Sequence, residues 1–218
     1  MDDTAASGGI AEHVYQALFR MVMESDIAPG SRMVIDKIAS DLGVSSTPVR
    51  EALARLETQG LVTKERLRGY FATEIMGSAE FADLWEFRRL LEPHAARQAA
   101  MGIDRTGKVR LQYEVDSIRQ VRLQDDYASM TTFREHDHRL HDLIFEFAGN
   151  AHLRKAMDQA HVYNRMFRIR FAPIDGYHAI QEHADIARAI IKGDADAADA
   201  AMREHLELAY HRIEPYLQ

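Results

Sequence analysis

The sequence predicts a mainly α-helical protein in which a small N-terminal domain of short helices and strands precedes a larger antiparallel bundle of six helices. Three observations support this fold class. The first third of the chain carries short periodic segments divided by glycine and proline, whereas the rest carries long helical patterns without strand patterns. The composition, with 46% hydrophobic and 28% charged residues, is typical of a packed globular chain.

The 218 residues divide into three segments. Residues 1–9 are small, acidic and rich in glycine, which predicts a flexible tail and not a signal peptide. Residues 10–74 form the small domain, and residues 78–218 form the helical bundle. The chain has no cysteine and no apolar run near the roughly 20 residues that span a membrane. We therefore expect a cytoplasmic protein, without a membrane partner, in which His, Asp or Glu side chains hold any metal.

The small domain has the element order of a winged helix-turn-helix. Its patterns predict three helices, over residues 10–24, 36–42 and 47–59, and two strands, over residues 61–64 and 70–72. Gly43 is the expected C-terminal glycine of the second helix, and Thr47 is the expected N-cap of the third. The short turn between these two helices has the spacing of a helix-turn-helix, whose second helix reads DNA.

The third helix presents an arginine on the face opposite its apolar side chains. The apolar face consists of Val49, Ala52, Leu53 and Leu56. Arg50 lies on the other face, in the first turn, where the helix dipole disfavours a cation. It is either a solvated surface charge or a ligand for guanine or phosphate in the major groove. The chain has a formal charge of −7, but residues 46–69 hold five basic against three acidic residues, which leaves a local basic surface for DNA.

Several motifs of this domain resemble the GntR family of bacterial regulators. The longest is the unbroken run Gly43-Val44-Ser45-Ser46-Thr47-Pro48-Val49-Arg50-Glu51-Ala52-Leu53, and shorter matches are Pro29-Gly30-Ser31-Arg32, Gly60-Leu61-Val62 and Arg68-Gly69-Tyr70. The resemblance covers about residues 10–74. It implies a transcriptional regulator whose partner is double-stranded operator DNA. Symmetric operators and a helical bundle both suit a homodimer.

The resemblance also implies which side chains meet DNA. The predicted DNA-binding residues are Arg32, Ser46, Thr47, Arg50, Arg68 and Gly69. Arg68 and Gly69 would form the wing tip, where glycine lets the chain approach the minor groove. Two positions depart from the family: Ser46 stands where arginine is frequent, and Asp36 where a basic residue is frequent. These departures leave the operator sequence open.

Five breaks divide the second segment into six predicted helices. They lie at residue 102 and at residues 124–125, 149–150, 173–176 and 193–194. Long helices with short connections predict an antiparallel bundle.

Four residues of the bundle have the spacing of a metal site. Asp137 and His141 lie one turn apart on one helix, so both can reach one ion. His183 and His205 flank the turn at Gly193 and stand about 15 and 18 Å from it along antiparallel helices, at similar height. One carboxylate and three imidazoles can bind Zn²⁺, Ni²⁺, Mn²⁺ or Fe²⁺. Four unrelated polar residues on amphipathic helices would show the same spacing. The neighbouring His136 and His138 are expected to face solvent.

The bundle resembles the ligand-sensing FCD domain of the FadR branch of the same family. The matching residues include Phe87-Arg88, Leu91-Glu92, Asp137, Leu140-His141, Glu182-His183, Gly193-Asp194 and His205-Leu206. The resemblance covers about residues 78–216. It implies that the four residues above bind a divalent metal and that the effector is a small organic acid. Arg88 is the candidate contact for the effector, and the alternative is an ion pair with Glu92. Six helices suit the VanR-like variant of the domain.

Three functions follow from these patterns. The favoured one is a homodimeric, non-enzymatic regulator whose operator binding depends on a metal and an organic acid. A second is a metal-dependent hydrolase or lyase, for which Glu182 is the only obvious general base and no hydrolase motif is present. A third is a direct metal sensor in which the ion itself is the signal.

Overall fold

The computed structural model describes residues 3–124, 126–169 and 176–217. The chain divides into two compact units. The first comprises Met1–Ile75 and Asn164–Arg168, and the second comprises Met76–Tyr163 and Ile169–Gln218. The predicted helix breaks at residues 125 and 173–175, and the first two residues of the predicted tail, lie outside the described residues.

The first unit contains three helices, a three-stranded antiparallel sheet and part of a later helix. Its elements are α1 (Asp3–Met23), β1 (Arg32–Met33), α2 (Ile35–Leu42), α3 (Ser46–Thr58), β2 (Val62–Glu65) and β3 (Gly69–Ala72). The strand order is β1-β3-β2, and β2 and β3 form the wing hairpin in which Glu65 pairs with Gly69. Strand β1 was not predicted, because two residues are too few to show the alternation that identifies a strand.

Two helix starts in this unit differ from the prediction. Helix α1 begins at Asp3, within the segment for which the composition predicts a flexible tail. Helix α3 begins at Ser46, and its N-cap is Ser45 with an extended backbone, so the prediction of Thr47 as N-cap is wrong. Pro48 is tolerated as the third helical residue because amides of the first turn have no intrahelical partner.

Helix α3 is fixed by the apolar face that the sequence predicts. Val49, Leu53 and Leu56 are fully buried, and α3 packs against α1. Gly43 ends α2 in the left-handed conformation, with φ of 65°, as predicted. The opposite face of α3 therefore stays at the surface, in the arrangement that a recognition helix needs.

The second unit is entirely helical in its described residues. The helices after Met76 are α4 (Ser78–Gly102), α5 (Arg105–Arg119), α6 (Tyr127–Phe147), α7 (Ala151–Ala160), α8 (Val162–Ile169), α9 (Gly176–Lys192) and α10 (Ala195–Ile213), followed by a 3-10 turn, Glu214–Tyr216. Of these, α8 is divided between the units, because Asn164–Arg168 belong to the first. The mainly helical class with an N-terminal winged domain is confirmed. The fourth predicted segment is interrupted at His161, which adopts φ of 50° and separates α7 from α8.

Four of the predicted breaks lie at or near residues that cap the following helix. Side chains of Asp104, Asp126, Asn150 and Asp194 accept hydrogen bonds from amides in the first turns of α5, α6, α7 and α10. Helix α4 packs against α6, α9 and α10, and α5 packs against α6 and α9. Three helices, α6, α9 and α10, thus surround the position where the predicted ligands lie. None of the described helices has the length and apolar character to cross a membrane.

Candidate metal centre and DNA-reading face

The structure brings the four predicted metal ligands together in the interior of the bundle. Helix α6 carries Asp137 and His141, α9 carries His183, and α10 carries His205. All four side chains are buried, and one ligand atom from each lies within 4.8 Å of the others. Two atoms on opposite sides of an ion bound at about 2.1 Å would lie about 4.2 Å apart. The cluster therefore needs only small side-chain movements to enclose one ion.

The atoms at the centre of the cluster lack partners. Within the described residues, Asp137 Oδ2, His141 Nε2 and His183 Nε2 are buried without a hydrogen bond. Asp137 Oδ1 lies 3.5 Å from His183 Nε2 and 3.9 Å from His141 Nε2. Buried polar atoms are almost always paired, so a group of unpaired lone-pair donors facing each other fits a cation.

His205 is held from outside the cluster by a carboxylate. Its Nδ1 lies 2.8 Å from Glu182 Oε2, and Arg212 donates two hydrogen bonds to Glu182, at 2.6 and 2.7 Å. The arginine fork fixes the carboxylate, and the carboxylate in turn fixes the imidazole ring. Glu182 is thereby committed to His205 and Arg212, which argues against its use as a free general base.

His183 is held through a second, buried histidine. His183 Nδ1 lies 3.0 Å from His136 Nε2, and His136 Nδ1 lies 2.9 Å from Glu114 Oε1. Arg139 donates two hydrogen bonds to Glu114, at 3.0 and 3.1 Å. The series of hydrogen bonds that begins at His183 therefore ends in a carboxylate paired with an arginine, as the series from His205 does.

His141 has the same arrangement on the side of α4. Its Nδ1 lies 2.7 Å from Glu92 Oε2, and Arg88 donates two hydrogen bonds to Glu92. Arg88 also lies over the ring of Trp85, with its guanidinium carbon 4.6 Å from the ring centroid. Arg88 and Glu92 are 1% and 0% exposed, so both charges are removed from solvent and each stabilises the other.

The partners of His183 and His205 place the protons on the outward Nδ1 atoms of these two rings. A ring whose Nδ1–H donates outward presents the lone pair of Nε2 to the centre, which is the form that binds metals. Burial lowers the pKa of His205 to about 3 and also lowers the pKa of His183, so both rings are neutral near neutral pH. Burial alone would raise the pKa of Asp137, but its interactions with the neighbouring histidines hold it below the usual range.

The charges around the cluster nearly cancel. Glu92, Glu114 and Glu182 are each paired with an arginine: Arg88, Arg139 and Arg212. Burial opposes ionisation of Glu92, yet the charge of Arg88 brings the pKa of Glu92 down to about 2. With neutral histidines, Asp137 leaves the ligand set with one negative charge. A divalent ion would give the centre one net positive charge, which an anionic ligand can balance.

The predicted DNA-binding residues lie at the surface of the first unit. Thr47 and Arg50 are exposed on α3, and Ser46 is partly exposed at its start. Within the described residues, no ion pair involves Arg50. The exposed Arg32 lies beside the wing, since a Cβ added to Gly69 would be 3.7 Å from Arg32 Nε.

The wing tip differs in one respect from the prediction. Gly69 is the first residue of β3 and pairs with Glu65, so the turn itself consists of residues 66–68. Leu67, in this turn, is 97% exposed. Arg68 is paired with Glu65 and lies over the ring of Phe71, 5.0 Å from its centroid. The wing arginine is thus partly neutralised, whereas the recognition-helix arginine is not.

Comparison with known proteins identifies both units. The model of the bacterial regulatory proteins of the gntR family matches residues 10–71, and the model of the FCD domain matches residues 83–208, more than half of the chain. The chain belongs to the GntR family of regulators with an FCD domain. The GntR family binds operator DNA, and the FCD match covers all four candidate metal ligands.

Relatives of this GntR/FCD protein extend over nearly its whole length. The chain is 27% identical over 203 residues to the HTH-type transcriptional repressor RspR of Escherichia coli, covering 91% of this chain and 86% of RspR. It is 24% identical to the regulator BphR of Paraburkholderia xenovorans, covering 91% and 82%. The solved structure of E. coli McbR/YncC has a TM-score of 0.70 at 18% identity, covering 94% of this chain and 97% of that one, and shares the fold.

Some residues of the FCD unit were misread or missed in the sequence. The prediction that His136 faces solvent is wrong, because His136 is fully buried and contacts a ligand histidine, whereas His138 is exposed as expected. The spacing of Phe133, His136 and Leu140 on α6 is the three- and four-residue spacing of a buried stripe, and it could have revealed His136. Glu114 had no such signal, since its role depends on how α5 packs on α6.

Proposed function

We propose that this GntR/FCD regulator binds operator DNA as a homodimer, with an affinity set by a divalent metal and a small organic acid at the FCD site. The site consists of Asp137, His141, His183 and His205. A bound ion or acid would favour one of two dimer geometries and thereby change operator affinity. The VanR-like variant of the FCD domain stays a prediction, since the fourth predicted helical segment is interrupted at His161.

The DNA-binding part rests on the exposed face of α3 and the wing. Arg32, Ser46, Thr47, Arg50, Arg68 and Gly69 remain the proposed contacts. Arg50 is available to pair with guanine or phosphate, because no described carboxylate neutralises it. Arg68 would first have to leave Glu65.

The metal part rests on one observation above the others. Three unpartnered lone-pair atoms meet in a buried cluster whose histidines are each oriented from outside. The donor set of one carboxylate and three imidazoles fits Zn²⁺, Ni²⁺, Mn²⁺ or Fe²⁺, and no thiolate favours a softer ion. A bound ion would supply a Lewis-acidic position for a carboxylate. Asp137 and the three histidines would hold it, and their outer partners would keep each ring in the metal-binding form.

The organic acid part rests on charge. A divalent ion beside Asp137 leaves one positive charge that no described carboxylate is free to balance, because Glu92, Glu114 and Glu182 are paired with arginines. Arg88 remains the proposed contact for the acid, although its fork is engaged by Glu92. An acid would reach Arg88 only by sharing it with Glu92.

The test combines metal and DNA titrations of the full chain. Calorimetric titration of metal-free protein with Ni²⁺ should show one site per chain, which His205→Ala abolishes. His211→Ala is the matched control, because His211 lies on the same helix and is exposed. Fluorescence anisotropy with DNA from upstream of the gene, against scrambled DNA, should then show specific binding that changes when a chelator or organic acids are added.

The outcomes separate the competing functions. If neither His205→Ala nor the chelator alters the response of DNA binding to organic acids, the metal part of the proposal is wrong. If operator affinity follows Ni²⁺ concentration alone, without an organic acid, the protein is a metal sensor. Substrate turnover that His141→Ala abolishes would favour a hydrolase or lyase, although the commitment of Glu182 to His205 and Arg212 argues against one.

A further inference from the structure

A tyrosine beside the metal centre has a hydroxyl group without a partner. Tyr163 is the second residue of α8, and its residue exposure is 8%. Among the described residues, its hydroxyl oxygen is buried and makes no hydrogen bond. A buried hydroxyl in this state costs free energy, since it has left water and gained nothing in return. It therefore marks a place where a polar group is expected to bind.

The position of Tyr163 connects it to the candidate metal centre. Its ring centroid lies 5.6 Å from that of the ligand His141, and 4.9 Å from that of His138, in an edge-to-face arrangement. A phenolic hydroxyl is protonated near neutral pH and can donate a hydrogen bond.

The other groups around the centre cannot take this role without losing a partner. Arg88 is engaged by Glu92, and the Nδ1 atoms of His183 and His205 are engaged by His136 and Glu182. The Tyr163 hydroxyl is a donor whose hydrogen is not already in use among the described residues. The charge balance described above calls for an anion, and an anion accepts such a hydrogen bond strongly.

We propose that the Tyr163 hydroxyl donates a hydrogen bond to a carboxylate bound at the metal centre, and so helps to select an organic anion over water. This proposal rests on the proposed metal site. The Tyr163 hydroxyl would be a second contact for the acid beside Arg88, and unlike Arg88 it has no other partner among the described residues. Tyr163 is not a metal ligand in this arrangement, since a protonated phenol at this position acts as a donor.

The test uses Tyr163→Phe, which removes only the hydroxyl. Wild type and variant are loaded with Co²⁺, whose visible absorption reports on its ligands, and are titrated with sodium acetate as the probe anion. We expect the Co²⁺ affinity, from competition with a chromophoric chelator, to stay within about twofold, and acetate binding to weaken by about tenfold or more. Tyr113→Phe is the control, because Tyr113 is exposed on α5.

A measurement without metal distinguishes a ligand contact from a structural role. Since the hydroxyl has no partner among the described residues, metal-free Tyr163→Phe should unfold at the same temperature as wild type or at a higher one. A lower temperature would show a structural hydrogen bond and overturn the proposal. So would equal acetate binding by variant and wild type, or loss of Co²⁺ binding by the variant.

The proposed function and this inference fail in different ways. Wild type that takes up no Co²⁺ would refute the metal site, and the inference with it. Wild type that takes up Co²⁺ but shows no spectral change with acetate would refute a carboxylate ligand at the centre. Only wild type that binds both, with Tyr163→Phe binding both equally well, leaves the metal site intact and refutes the role of Tyr163.

Discussion

The two units of this protein use arginine in opposite ways. In the FCD unit, Arg88 is 1% exposed and is fixed by a buried glutamate, and Arg139 and Arg212 likewise hold glutamates that orient ligand histidines. In the winged unit, the side chain of Arg68 is 68% exposed, and Arg50 is exposed without a described ion pair. Under the proposed function, the bundle would receive a small ion, and the winged unit would receive a large polyanion.

The difference follows from what each ligand can contribute. An ion supplies no geometry of its own, so the protein must fix each ligand atom in advance, and every ligand histidine therefore has an outer partner. DNA supplies a regular array of phosphates and base edges, so a reading arginine can remain solvated until it binds. Removal of an outer arginine in the bundle should consequently affect folding and metal affinity, whereas removal of a reading arginine should affect only DNA affinity.

The largest expected effect is that of Arg88→Ala. The substitution leaves Glu92 as an unpaired charge in the interior, which costs about 3–5 kcal/mol in the free energy of unfolding. Urea unfolding of the metal-free protein measures the loss. Arg203→Ala removes an exposed arginine paired with Asp199 and should cost at most about 1 kcal/mol. Equal costs for the two variants would show that the Arg88–Glu92 pair is not a buried structural pair.

Glu182→Gln should act on metal affinity more than on stability. The substitution removes the charged acceptor for His205 Nδ1 and weakens the hold of Arg212, so the ring loses its fixed orientation. Loss of such an outer partner lowers metal affinity by about 10- to 100-fold. Competition titration with Ni²⁺ measures it, and Glu204→Gln is the control, because Glu204 is an exposed glutamate on α10 next to His205. Unchanged Ni²⁺ affinity would mean that His205 needs no outer partner.

Much of this arrangement could be predicted from the sequence, because the signals are local. The ligand quartet follows from a one-turn spacing on α6 and from the similar distance of His183 and His205 from one turn, and the rings of these two histidines do lie 4.8 Å apart. Breaks between helices of the bundle follow from pairs such as Gly149-Asn150 and Gly193-Asp194. The face of α3 follows from the spacing of its leucines.

The remainder depends on packing between helices that are distant in the chain. Glu114 reaches His136 across 22 positions, and Glu92 reaches His141 across helices α4 and α6, so no spacing along one helix reveals either pair. The break at His161 was missed because His161 adopts the left-handed conformation, which is uncommon for residues other than glycine. The uncommitted hydroxyl of Tyr163 became visible only once α8 was placed beside the cluster.

The smallest expected effect compares two arginines within the winged unit. Arg50→Ala should weaken binding to the specific DNA by about tenfold and binding to scrambled DNA much less, because a bidentate contact to guanine carries sequence information. Arg68→Ala should have a smaller effect, since Arg68 must first give up Glu65. Fluorescence anisotropy at two salt concentrations measures both effects, and Arg20→Ala, which removes an exposed arginine of α1, is the charge control.

If Arg68→Ala has the larger effect, the wing and not the recognition helix provides the dominant contact. If Arg50→Ala weakens both DNAs equally, Arg50 contacts phosphate and reads no base, and specificity would have to come from Thr47 or from the shape of the DNA.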